Sequence, residues 1–92
     1  VTSRRPQKIE WHVYICLSRA GHYYVGISPE PHKRVISHNS GKGAKMASDQ
    51  GSFRLVYVSK PYSDKSTARK REIQIKGWTR QKKEKLIKGE WE

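Results

Sequence analysis

The 92-residue chain holds a single cysteine. Cys16 therefore has no partner for an internal disulfide and no companion thiol for a zinc site. It reads as a small strand hydrophobe. No apolar run is long enough to span a membrane as a helix, and no secretory signal pattern is present. An intracellular, cytoplasmic setting without a membrane partner is expected. Acidic residues are scarce as well: eight Asp and Glu stand against twenty Lys and Arg, a net charge of +12. That imbalance says little about fold and much about partners, and a polyanion is the expected one. There is no internal repeat and no low-complexity tract. Aromatic and aliphatic residues are frequent enough for a folded core, which excludes a disordered basic tail. The length fits one small domain with one modest core.

What is present is organised around Trp11 to Ile27. Two alternating apolar and polar runs flank the polar turn Arg19-Ala20-Gly21. This is a β-hairpin pattern, with Gly21 suited to a positive-φ turn position. Alternation sends Val13, Ile15, Leu17, Tyr23, Val25 and Ile27 to one face, the expected core face. The opposite face carries Tyr14 and Tyr24. If Ser18 pairs with His22, Tyr14 lies opposite Gly26 and diagonal to Tyr24, within reach of it. Tyrosines are common strand residues. It is the pair, with Gly26 opening room beside it, that suggests a site.

Residues 1–10 read as a loose basic arm, 11–88 as the domain and 89–92 as a tail. Pro31 suits the first turn of a helix reaching roughly Asn39, on which Arg34 and His38 share a face. Val35 is its expected core residue. The following loop holds Lys42 and Lys45. It does not match the phosphate-binding Gly-Lys-Ser/Thr pattern, yet its backbone and lysines suit a phosphate as well as they suit a solvated loop. Phe53 to Val58 is a third strand, apolar on both faces and so expected to be well covered. A helix capped by Asp64 or Ser66 runs to Lys76 and stops at Gly77. Ala68, Glu72 and Ile75 form its inward stripe. Glu72, the only acid on a helix that also bears Arg69, needs a cation there. Thr79 caps a last helix to about Lys88, with Leu86 and Ile87 inward, Trp78 at the corner, and Arg80, Lys82, Lys83 and Lys85 toward solvent. Such a charge run is usually only a solvated surface. Here it joins a domain-wide positive field, so Arg69, Arg80, Lys82 and Lys83 are candidate phosphate contacts together with Lys42 and Lys45.

Val13-Tyr14, followed by Tyr24-Val25-Gly26, resembles the paired signature of the GIY-YIG nucleases. Gly26-Ile27-Ser28 leading to Arg34 and His38-Asn39 resembles their first helix. Ser40 to Lys45, Arg71-Glu72 and Ile75 to Arg80 resemble the later segments of the small single-domain branch. That branch is related to the UvrC amino-terminal nuclease domain and to Slx1-type nucleases. The resemblance implies an α+β fold, a three-stranded antiparallel sheet flanked by three helices in the order ββαβαα, as the residues alone also indicate. It implies a metal-dependent DNA endonuclease of repair or recombination, with Tyr14, Tyr24, Arg34, His38 and Glu72 in the active site. By the same resemblance Arg34 contacts phosphate and Glu72 holds one Mg²⁺ or Mn²⁺ ion.

These residue types suit phosphodiester hydrolysis. Anionic phosphate oxygens repel a nucleophile, so a site must neutralise charge and align a water. Mg²⁺ keeps several waters and often takes one or two carboxylates plus the substrate phosphate, so Glu72 alone suffices. Arg34 can donate two hydrogen bonds to phosphate oxygens. A phenol, with an ordinary pKa of about 10, serves as base only where nearby cations favour its ionised form. Tyr24 is the expected base and Tyr14 the orienting group, though the two roles are interchangeable on sequence. The competing class is a non-catalytic basic module binding DNA or RNA. DNA is the expected partner, RNA the alternative, and a separate targeting protein a further candidate.

Overall fold

The computed structural model describes residues 9–39 and 53–90, with the backbone only for His38 and Asn39. Strands β1 (His12–Ser18) and β2 (Tyr23–Ser28) are followed by helix α1 (Pro31–Asn39), strand β3 (Phe53–Val58), helix α2 (Lys65–Lys76) and helix α3 (Arg80–Ile87). The strands form one antiparallel sheet in the order β2-β1-β3. The fold is α+β, with three strands and three helices.

The hairpin closes as its residues dictate. The Ser18 N–H donates to the His22 carbonyl at 2.9 Å, and the Gly21 N–H donates to the Ser18 carbonyl at 2.9 Å. Gly21 takes φ +93°, a left-handed value that side chains disfavour. The resulting register places Tyr14 opposite Gly26 and Cys16 opposite Tyr24.

β1 is the central strand and is covered on both faces. Val13 and Ile15 are buried with Ala68 and Ile75 of α2 and Leu86 of α3; Tyr23, Val25 and Ile27 pack around them. Leu17, expected on this face, is only half-buried at the hairpin end. On the other face Tyr14 and Cys16 pack with Val35 of α1 and Phe53 of β3. One strand thus supplies two small cores, which a strand alternating between two helical layers can do.

β3 departs from the expected full cover. It is an edge strand, and its last residue, Val58, is 37% exposed while Phe53 is buried. Its register against β1 shifts between Ile15, opposite Tyr57, and Cys16, opposite Leu55, leaving Val56 as an extra residue. Beyond the strand, Ser59 locks the sheet. Its N–H donates to the Val13 carbonyl at 2.8 Å, and its hydroxyl accepts from the Val13 N–H at 2.9 Å.

The helices start at their caps. Asp64 accepts from the Thr67 N–H at 2.7 Å, and Thr79 from the Lys82 N–H at 3.2 Å. Asp64 is held below the usual carboxylate range by that backbone hydrogen bond and by the Thr67 hydroxyl. No described helix is long and apolar enough to cross a membrane.

Candidate active site

Tyr14 is the pivot. Its ring crosses the backbone of β2 at Gly26, where a Cβ would lie 2.6 Å from the Tyr14 hydroxyl oxygen and 2.8 Å from the ring carbon Cζ. Only glycine leaves that path open, and the phenol uses it to reach past the sheet. There it hydrogen-bonds with the Arg34 side chain and lies within the field of Glu72. Burial raises the pKa of Tyr14 above the ordinary phenol value. Cys16 and, more weakly, Glu72 add to the rise, while Arg34 opposes it by charge and hydrogen bond. Tyr14 is therefore a neutral O–H group at physiological pH.

Three elements meet at the phenol. β1 supplies Tyr14. α1 supplies Arg34, exposed one residue before the buried Val35 that seats the helix. α2 supplies Glu72, buried between Ala68 and Ile75 because the inward stripe carries all three. Tyr14, Arg34 and Glu72 line one cavity of about 350 Å³, together with Trp11, Gly26, Ile27, Ser28, Pro29, Lys65 and Arg69. Positive side chains rim this cavity, and among the described residues that line it Glu72 is the one carboxylate.

Tyr24 lines a second, larger cavity of about 590 Å³ that shares Tyr14 and Arg34 with the first. Its ring meets Phe53 edge-on, with centroids 5.1 Å apart and planes at 88°. Cys16, Lys76 and Lys83 also line this space. Tyr14 and Arg34 thus form a wall between the two cavities, with Glu72 on one side and Tyr24 on the other. Cys16 carries no sign of activation, since burial pushes its thiol up to about 11.

Glu72 is held by its own helix. Its Oε2 pairs with Lys76 Nζ at 3.2 Å, and its Oε1 lies 3.8 Å from Arg69 Nη1. Oε1 is buried without a hydrogen-bond partner. Among the described residues no group of three or more His, Cys, Asp or Glu forms a metal cage. An orphaned carboxylate oxygen in a cavity fits an ion that takes one carboxylate, solvent and a phosphate oxygen. It does not fit a zinc site built from protein ligands alone.

The remaining expected contacts divide. Arg69 lines the smaller cavity and Lys83 the larger. Arg80 is tied elsewhere: it donates to the Gly21 carbonyl at 2.7 Å, pairs with Glu84 at 3.3 Å and stacks on Tyr23 at 4.6 Å. Lys82 lies 4.4 Å from the Trp78 ring centroid. Lys42 and Lys45 lie outside the described residues, as does the His38 side chain; the His38 backbone belongs to the last turn of α1. Sequence reasoning did not single out Trp11, Lys65 or Lys76 for the site. Lys76 had a legible signal, a base four residues after an inward-facing acid. Lys65 and Trp11 had none, because their place at the rim, with Nζ 5.1 Å from the ring centroid, is purely tertiary.

The chain is similar to known proteins over most of its length. The family described as the GIY-YIG catalytic domain matches residues 10–85. A UPF0213 protein of Staphylococcus epidermidis is 45% identical over 75 residues, 82% of this chain and 90% of that protein. A UPF0213 protein of Yersinia pestis is 38% identical over 77 residues, 84% of this chain and 80% of that protein. The solution NMR structure of the UPF0213 protein BH0048 from Bacillus halodurans matches with a TM-score of 0.53 at 35% identity, covering 86% of this chain and 83% of that one.

Proposed function

This chain belongs to the GIY-YIG catalytic domain family, and from that premise we propose that it is a metal-dependent endonuclease hydrolysing phosphodiester bonds in DNA, with a role in repair or recombination. One observation carries the reading: a neutral phenol, a guanidinium and a buried carboxylate from three different elements line one cavity. A core does not need that combination. Hydrolysis of an anionic ester does.

Each group has a task in this reading. Arg34 binds the scissile phosphate and takes up charge as it builds in the transition state. Tyr14, kept neutral by burial, donates its O–H to the attacking water or a phosphate oxygen. Tyr24, reacting as its phenolate, accepts the proton of that water; the water oxygen bonds to phosphorus, the bridging P–O ester bond breaks, and the leaving oxygen takes a proton from solvent, giving a phosphomonoester and a hydroxyl. His38 completes the set. Glu72 would hold one Mg²⁺ or Mn²⁺, which would supply positive charge to the reacting phosphate. Lys65, Arg69 and Lys83 hold the flanking phosphates, with Lys42, Lys45, Arg80 and Lys82 as outer contacts. RNA and a targeting protein are further partners to test.

A second reading, a binding module without turnover, draws on the ion pairs of Glu72 with Lys76 and Arg69, which offset the charge of the carboxylate without a metal. The two readings part over metal. A panel of single-stranded, duplex, nicked and branched DNA is incubated with Mg²⁺, Mn²⁺ or chelator. The nuclease cuts at least one substrate only with metal, Glu72→Ala and Tyr24→Phe abolish cutting, and Glu72→Ala still binds DNA. Tight binding with no cleavage under either metal leaves the binding module.

A further inference from the structure

Lys76 belongs to two places at once. Its ammonium pairs with Glu72 Oε2 at 3.2 Å, and the same residue lines the larger cavity beside Tyr24 and Lys83. The partners differ in freedom. The Glu72 side chain is 7% exposed and fixed in the α2 stripe, whereas Lys76 is 55% exposed on a flexible four-carbon stem. Arg69, 62% exposed and 3.8 Å from Oε1, is too distant to hydrogen-bond. The buried carboxylate is therefore neutralised by cations that can leave, and Lys76 has a second cavity to face when it does.

We infer that Lys76 is a metal-released phosphate contact: it neutralises Glu72 in the absence of a divalent ion, and turns to the substrate strand in the larger cavity once such an ion displaces it. The inference rests on the nuclease reading and adds a coupling to it. A divalent cation at Glu72 repels the ammonium and removes its reason to stay. The ammonium then adds one positive charge where the strand passes Tyr24 and Lys83. Metal and DNA consequently strengthen each other's binding beyond the direct metal–phosphate contact, and linkage makes the gain equal in both directions.

The test measures Mn²⁺ binding by titration calorimetry, and binding of a fluorescein-labelled phosphorothioate oligonucleotide by anisotropy with and without Mn²⁺. The proteins are the wild type, Lys76→Met and Lys83→Met. Lys83→Met is the control, since it removes the same charge from the same cavity without a bond to Glu72. Without DNA, Lys76→Met binds Mn²⁺ about threefold tighter, the scale of one released ion pair. Its metal-dependent gain in DNA affinity falls by a similar factor, its affinity in Mn²⁺ dropping more than its affinity in chelator. Lys83→Met loses DNA affinity equally with and without metal. A wild-type Mn²⁺ affinity in Lys76→Met, or an equal loss of coupling in Lys83→Met, overturns the inference while DNA cleavage by the wild type still stands. A wild type that binds no Mn²⁺ and cuts nothing overturns both.

Discussion

Alanine at position 26 would force the Tyr14 phenol off the strand edge, because the added methyl would occupy the path of the ring. The backbone at Gly26 has no positive φ to protect, so the cost comes from displacing Tyr14, which belongs to the second core as well as to the site. Gly26→Ala is expected to keep its circular dichroism spectrum and lose about 1–3 kcal/mol of stability through overpacking, while cleavage drops by about tenfold or more, the scale of a misplaced catalytic group. Cys16 gives a pH prediction of opposite kind. Its folded thiol is raised from 9.0 to about 11 by burial, so the folded state holds the proton more tightly than the unfolded chain. The stabilisation is complete below pH 9 and is lost as pH rises toward 11. It is on the order of 2 kcal/mol. Denaturant melts of the wild type should weaken across that window, and Cys16→Ala should flatten the fall. Cys16→Ser should leave cleavage unchanged at neutral pH.

At the scale of elements, the sheet depends on a junction outside the strands. Ser59 is buried, and its hydroxyl accepts from Val13 and donates to the Lys60 carbonyl at 2.7 Å. Ser59→Ala strands the buried Val13 N–H and should cost about 1–3 kcal/mol in urea unfolding. A loss below a few tenths would show that the neighbouring backbone bond suffices. The hairpin is secured from the opposite side by Arg80 of α3, through the Gly21 carbonyl, the Tyr23 ring and Glu84. Tyr23 also donates to Glu84 Oε2 at 3.3 Å. These contacts give Arg80 a structural use independent of any phosphate.

For the whole molecule, charge governs association. If the proposed function holds, a chain of net charge +12 should bind DNA with an affinity that falls steeply as salt rises, through counterion release. Lys65 and Arg69 border the cavity that holds Glu72. Lys65→Ala and Arg69→Ala should each reduce the slope of log affinity against log salt by about one. Filter binding across a salt series measures this. An unchanged slope would place the strand elsewhere on the surface.

Local periodicity was enough to determine the hairpin, its turn, the three helices and the Thr79 cap, because alternation, helical stripes and capping residues act over a few neighbours; between Asp64 and Ser66 as cap of α2 the structure decided for Asp64. It also placed Tyr14 against Gly26, since a tight turn leaves one register, and marked Glu72 as an inward acid needing a cation. Tertiary structure alone decided that β1 lies at the centre, that β3 is an edge, and that Arg80 turns to the hairpin. It also decided that Lys65 and Trp11 meet at the cavity rim. Those outcomes depend on which surfaces pack together across long separations in the chain, and no spacing within a single segment encodes them.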